Sequence, residues 1–158
     1  MTFSLTGDDT ISLSLDPSNP TTIVPLVDLG DGDVGSLTFP NEIVGSTVGK
    51  SGNAVYTLNE TGKQSDLVIR VLRGSPDDKK LNSRFTSMKN DFASFVLIAG
   101  QVVKSIGDGN GNITNDIYNM SGGVFTKSVD AQSNVEGSTD QGISIYTIRF
   151  SNAPRSLG

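Results

Sequence analysis

The chain has 158 residues, the size of one domain and long enough to bury about two-thirds of the surface its unfolded form exposes. It contains no His, no Cys and no Trp, which excludes Ser-His-Asp and Cys-His nucleophiles, imidazole acid–base chemistry, Cys/His zinc centres and disulfides. Its net charge of −5 opposes general binding to nucleic-acid phosphates.

A hydrophobic fraction of 35% with only 6% aromatics, 18 Gly and 6 Pro favours many short strands joined by turns. The charge is unevenly spread. Residues 1–49 hold seven acids and no base, residues 50–104 nine bases and five acids, and residues 105–158 three bases and five acids. A chain divided in this way can pair with copies of itself, although a solvated surface with chance clustering explains the same counts. The first residues, MTFSLTGDD, lack the basic and apolar regions of a secretory signal. The longest strongly apolar stretch, 95–99, is far below the roughly 20 residues of a membrane helix. The expectation is a soluble protein made in a cytoplasm, with no membrane partner.

In chain order, residues 11–15 (ISLSL) alternate with period two and end at the breaker Asp16-Pro17-Ser18-Asn19-Pro20. The run 22–29 (TTIVPLVDL without its first Thr) is apolar, and Pro25 must lie at an edge or bulge because it cannot donate to a ladder. Gly30 to Asp33 reads as a turn and 35–39 as a short strand. Residues 44–48 and 54–58 read as strands flanking Gly49-Lys50-Ser51-Gly52, and 66–73 (DLVIRVLR) as a strand with Leu67, Ile69 and Val71 on one face. One helix follows, over about residues 76–92. Ser75 is its N-cap, Pro76 its first position, and Asp78 the carboxylate three residues after the cap. Leu81, Phe85, Met88 and Phe92 form a single apolar stripe, expected to be core. Strands are then predicted at 95–104, 113–118, 124–129 and 143–150, with a loop over 130–142 and an extended C-terminal arm at 151–158. Neither an internal repeat nor an interior linker interrupts the chain. The fold class is mainly β, a β-barrel or sandwich with one flanking α-helix, in a single domain over 1–158.

Three motifs imitate functional sites. Gly45 to Ser51 resembles a P-loop but has three residues between its glycines and a strand pattern after it, so no helix N-terminus awaits a phosphate. Asp108-Gly109-Asn110-Gly111-Asn112 opens like a calcium loop, yet Ile113 and Asn119 stand where Gly and a bidentate Glu are needed. Both read more simply as hairpin turns. Three Asn-X-Ser/Thr triplets are chance matches without a signal peptide. The 14 Asp and 3 Glu allow many carboxylate pairings, but no motif marks one out. No catalytic residue, metal ligand or cofactor is expected.

The stretch 37–76, LTFPNEIVGSTVGKSGNAVYTLNETGKQSDLVIRVLRGSP, is similar to the tail tube proteins of contractile-tailed bacteriophages. The Leu58-Asn59 step, the DLVIRVLRGSP segment, the helix after it and the late alternating strand fall where that family places them, and the similarity extends over about 11–150. It departs at Arg73-Gly74, where the family has a shorter polar step. The resemblance implies a barrel or sandwich flanked by a helix, six copies per ring, and rings stacked head-to-tail into a hollow tube. Genomic double-stranded DNA passes through such a tube without specific binding, and the implied partners are the sheath, the baseplate and the tail terminator. The implied location is a virion tail assembled in the host bacterial cytoplasm. It makes Asn41, Glu42, Val44, Ser46, Thr47, Val48 and Lys50 candidates for an inter-subunit loop, and Asp28, Asp31 and Asp33 candidates for an acidic lumen. The tube protein of type VI secretion or another contractile injection system is the nearest alternative. A monomeric β-sandwich binding module would form no tubes, and a carboxylate-dependent hydrolase would show a cleft with paired, pKa-shifted acids.

Overall fold

The computed structural model describes residues 2–6, 9–19, 22–29, 33–107, 109–131 and 143–157. Its strands are β1 (Thr2–Thr6), β2 (Thr10–Leu13), β3 (Val24–Pro25), β4 (Asp33–Thr38), β5 (Val44–Val48), β6 (Ala54–Leu58), β7 (Ser65–Leu72), β8 (Ile98–Gly107), β9 (Ile113–Phe125), β10 (Asp130–Ala131), β11 (Ile143–Phe150) and β12 (Arg155–Leu157), with helix α1 (Pro76–Asn90) between β7 and β8. Strand order in the main sheet is β1-β4-β7-β11-β9-β8-β2-β3, with β10 added to β11 and β12 to β9, while β5 and β6 form a separate two-stranded sheet.

The main sheet curls until it meets itself. Pro25 and Val24 pair with Ser12 and Leu13, and the Leu26 amide donates to the Ile11 carbonyl. Four residues on, Leu29 bridges Val71 and the Leu72 amide donates to the Asp28 carbonyl at 2.9 Å. The segment 24–29 thus joins the β2 end to β7 and closes a barrel. Pro25 sits in the two-residue β3 at the end of the strand order, where the lack of an N–H costs least.

Strict alternation positions the core. On β7, Ser65, Leu67, Ile69 and Val71 are buried, and the antiparallel register sets Tyr146 opposite Ile69 and Ile148 opposite Leu67. Opposed residues share a face, so these side chains enter the same interior. α1 lays Leu81 and Phe85 onto that core, and the Phe85 ring meets Phe125 edge-on at 5.5 Å. Met88 is partly buried against it. Phe92 corrects the expected stripe: the helix stops at Asn90, Phe92 begins a 3-10 turn, and its side chain is 68% exposed. Once the chain leaves the helix, the 3.6-residue period no longer assigns faces.

Two further differences have local causes. Residues 113–118 and 124–129, expected as two strands, belong largely to one 13-residue strand, β9. Gly122 at φ +69° and Gly123 look like a break in sequence, but they carry a bulge: Ile98 pairs with Gly123 and Gly100 with Met120. A Cβ on Gly123 would lie 2.6 Å from the Phe150 ring, so glycine permits this close approach. The tail, suggested as an extended arm, runs in extended conformation along β9, with Arg155 opposite Tyr118 and Leu157 opposite Asp116.

Candidate assembly surface

Residues 44–58 build a hairpin that pairs with no other strand among the described residues. The Gly49 amide donates to the Asn53 carbonyl at 2.7 Å and the Gly52 amide to the Gly49 carbonyl at 3.0 Å, closing a turn in which Gly52 adopts φ +88°. Register places Val44 opposite Leu58, Ser46 opposite Tyr56 and Val48 opposite Ala54 on one face, with Thr47 opposite Val55 on the other. Both faces are uncovered: every residue of β6 is exposed, Val48 and Val55 by 65% and Tyr56 by 70%.

The base, by contrast, is fixed. The Asn59 amide donates to the Ile43 carbonyl at 2.7 Å, and the Asn59 side chain accepts from the Thr61 amide and hydroxyl. Gly62 is buried there, where a Cβ would stand 2.5 Å from the Ile43 Cα. The structure brings the expected loop residues together on this unit: Asn41 and Glu42 precede β5, with the Asn41 side-chain Nδ2 donating to the Thr61 carbonyl, Val44, Ser46, Thr47 and Val48 lie in β5, and Lys50 is in the turn. Val44 to Lys50 belong to a paired ribbon, the strands expected at 44–48 and 54–58 with the turn between them. Sequence reading missed that β6 supplies half of its apolar surface; the adjacent β-formers Val55, Tyr56 and Leu58 carried that signal.

A groove of about 460 Å³ opens beside the base, lined by Phe39, Ile43, Tyr118 and Pro154 among others. The Phe39 and Tyr118 rings are 5.9 Å apart. The tail walls the groove through Arg155, whose guanidinium donates to both carboxylate oxygens of buried Asp116 at 2.7 and 2.8 Å. Burial, and then the Asp116 charge, raise the Tyr118 hydroxyl pKa.

At the other end of β7, the Ser75 hydroxyl caps α1 by accepting from the Asp78 amide, and Pro76 takes the first helical position. The Asp78 carboxylate accepts from the Gly74 amide at 2.8 Å and the Tyr146 hydroxyl at 2.6 Å. Buried Asp77 accepts from the amides of Val27 and Asp28 at 2.7 and 2.9 Å. Both carboxylates are therefore structural ties. Of the acids expected at a lumen, Asp28 is half-buried beside β7; Asp31 and the side chain of Asp33 lie outside the described residues. The P-loop-like stretch is the β5–β6 hairpin, with a strand where a phosphate-binding helix would begin. The calcium-like stretch falls between β8 and β9, and Asp108 lies outside the described residues. Among the described residues no group of three His, Cys, Asp or Glu is placed to hold a metal, and no helix is long and apolar enough to cross a membrane.

No protein-family model matches the sequence, and no curated protein matches it either. Solved structures do. A chain of the extended sheath–tube complex of an extracellular contractile injection system, PVC, superposes with a TM-score of 0.61 at 12% identity, over 95% of this chain and 88% of that one. A chain of the six-fold symmetrised baseplate of the anti-feeding prophage gives 0.56 at 13% identity, over 96% of this chain and 94% of that one. The mainly β architecture with one helix is thus the fold found in components of contractile assemblies, the fold that resemblance to tail tube proteins implies.

Proposed function

We propose that this chain is a structural, non-enzymatic subunit that polymerises into the inner tube of a contractile bacteriophage tail. Six copies make a ring, rings stack head-to-tail, and genomic DNA passes through the lumen during ejection while a contractile sheath surrounds the tube. Partners are further copies of the chain, the sheath, the baseplate and the tail terminator. The whole chain is one tube domain, placed in the virion tail after assembly in the bacterial cytoplasm.

The observation that carries this reading is the uncovered hairpin. A two-stranded ribbon is marginal in water by itself, and the cluster of exposed Val44, Val48, Tyr56 and Leu58 on one of its faces marks a surface meant to be covered. Similarity in fold over nearly the whole chain to components of a sheath–tube complex and a six-fold baseplate supports the same role. Asp28, Asp31 and Asp33 are assigned to the lumen, where carboxylates repel phosphate and keep the wall from retaining DNA. A second reading, the tube of an injection system, is favoured by one observation: both named structural neighbours come from such assemblies. Negative-stain imaging of concentrated protein should reveal six-fold rings or hollow tubes. A protein that stays monomeric at all salts, and also with sheath or baseplate present, would refute the proposal. Tight duplex binding by assembled tubes at physiological salt would refute the acidic lumen alone.

A further inference from the structure

We infer that Asn110, in the loop joining β8 to β9, is a self-modification site. In the folded chain the Gly111 backbone nitrogen attacks the Asn110 side-chain amide, and the residue converts to aspartate and isoaspartate. The chemistry needs no partner, so it stands apart from the assembly proposed above.

The step balances with water alone. Hydroxide takes the proton from the Gly111 N–H, and the nitrogen bonds to the Asn110 Cγ. The Cγ–Nδ2 bond breaks, and ammonia leaves with a proton from water that restores the hydroxide. The product is a five-membered succinimide. Water then opens the ring at either carbonyl, giving aspartate or an isoaspartate whose main chain runs through Cγ. The net change exchanges ammonia for water, with no oxidation or reduction.

Access to the attacking nitrogen selects this residue. A side chain on the following residue crowds the approach, and no other asparagine in the sequence precedes a glycine. The fold itself requires that glycine. Gly111 adopts φ +87° and Gly109 φ +82°, a region that side chains other than hydrogen rarely enter. The loop starts where Gly107 pairs with Ile113, so these glycines return β8 into β9 within a few residues. The turn chemistry that makes the hairpin therefore places the least hindered backbone nitrogen beside Asn110.

The surroundings leave room for ring closure. Residues 105–107 and 109–114 are all exposed. A Cβ built on Gly109 or Gly111 would meet nothing within 4 Å, so the loop can turn into the attacking geometry and admit water. Other asparagines sit in ordered backbone. Asn115 and Asn119 lie within β9, Asn82 lies in α1, and the nitrogen that follows Asn90 donates to the Ser87 carbonyl at 3.0 Å. The products also fit. Isoaspartate adds one methylene to the main chain, which two glycines in open space absorb before the Gly107–Ile113 pair. The new carboxylate adds one negative charge to a chain of −5 and stays in water, where it carries no desolvation cost.

The full-length protein is incubated at mildly alkaline pH, folded or in urea, then digested and mapped by mass, with isoaspartate counted by enzymatic methylation. In the folded protein Asn110 should convert at least about tenfold faster than any other asparagine, the ratio given by a barrier about 1.4 kcal/mol lower. Isoaspartate should be among the products, and the rate should rise with pH. Folded and urea-unfolded chains should convert Asn110 at rates within a few-fold of each other. Asn110→Gln, whose side chain would close a larger ring, should remove the isoaspartate signal. A folded chain that keeps Asn110 intact while the unfolded chain converts it overturns the inference, because the fold then protects the site. Faster conversion of another asparagine overturns it as well. The thermal midpoint of fully converted protein should match that of fresh protein, and a lowered midpoint would show that the loop does not absorb the product.

Discussion

β7 with β11 and β5 with β6 are both antiparallel pairs rich in β-branched residues, yet one is the centre of the molecule and the other touches little but itself. β7 has neighbours on both edges, β4 and β11, and every second side chain enters a shared interior. The hairpin has the same ladder and local propensity, but among the described residues no surface covers either face. Propensity and hydrogen bonding make a strand; burial makes it stable, because the net worth of a backbone hydrogen bond in water is only about 1 kcal/mol. The two pairs therefore differ in what holds them: one is stabilised within the subunit, and in the proposed assembly the other would be stabilised by a partner.

The largest effect should come from the buried pair. Ile69 is fully buried on β7, so Ile69→Ala should cost about 2–5 kcal/mol of subunit stability through lost burial and a residual cavity. Urea denaturation of the monomeric protein measures this, and a loss below 1 kcal/mol would break the comparison at its firm end.

Next is the tie that joins α1 to the segment closing the barrel. Asp77→Ala removes the acceptor for two amides, those of Val27 and Asp28, and should cost about 1–3 kcal/mol. The loss should appear as faster hydrogen exchange at 26–29 before it appears in the core. Uniformly faster exchange throughout the barrel would mean that Asp77 supports the whole fold instead of this segment.

Tyr146 gives a smaller, pH-dependent effect. Its hydroxyl pKa is raised by burial first, then by its hydrogen bond to Asp78 and the charge of that carboxylate. The folded protein therefore keeps a proton that the unfolded chain releases near pH 10. This stabilisation is complete below about pH 10 and lost as pH rises towards the raised value. Tyr146→Phe should lower stability by about 0.5–1.5 kcal/mol at neutral pH and flatten the decline above pH 10. An unchanged alkaline slope would mean that Tyr146 does not supply it.

The sequence disclosed the buried half of this comparison well. Leu67, Ile69 and Val71 declare β7 by period two, 143–150 declare β11, and Ser75-Pro76 with Asp78 declares the helix start, because each signal is local and agrees with the burial that tertiary packing demands. Contacts between distant segments were not legible. Nothing near Asp77 announces that its carboxylate will hold amides 49 and 50 residues earlier, and nothing near Asp116 announces Arg155. Arg84 was likewise hidden: nothing near it in sequence announces that it is buried, donates to the Val96 carbonyl at 2.6 Å and lies over the Phe95 ring. The hairpin strands were readable, but their exposure was not, since the same residues would suit a core strand.

The smallest change in subunit stability should therefore come from the hairpin, and that makes it the sharpest test. Val55 is 65% exposed, so Val55→Thr keeps a β-branched shape and removes little buried surface; its cost to the isolated subunit should stay within about 0.5 kcal/mol. Assembly should respond differently, because a hydroxyl placed in a dry contact loses water without gaining a designed partner. The critical concentration for tube formation, measured by sedimentation, should rise several-fold. Hydrogen exchange separates this from ordinary surface mobility. Amides at 44–49 should exchange fast in the subunit, where opening a ribbon without tertiary contacts costs little, and slowly in the tube. Equal exchange in both states would mean that the ribbon remains uncovered after assembly, and the proposed stabilisation of this strand pair by a partner would be wrong.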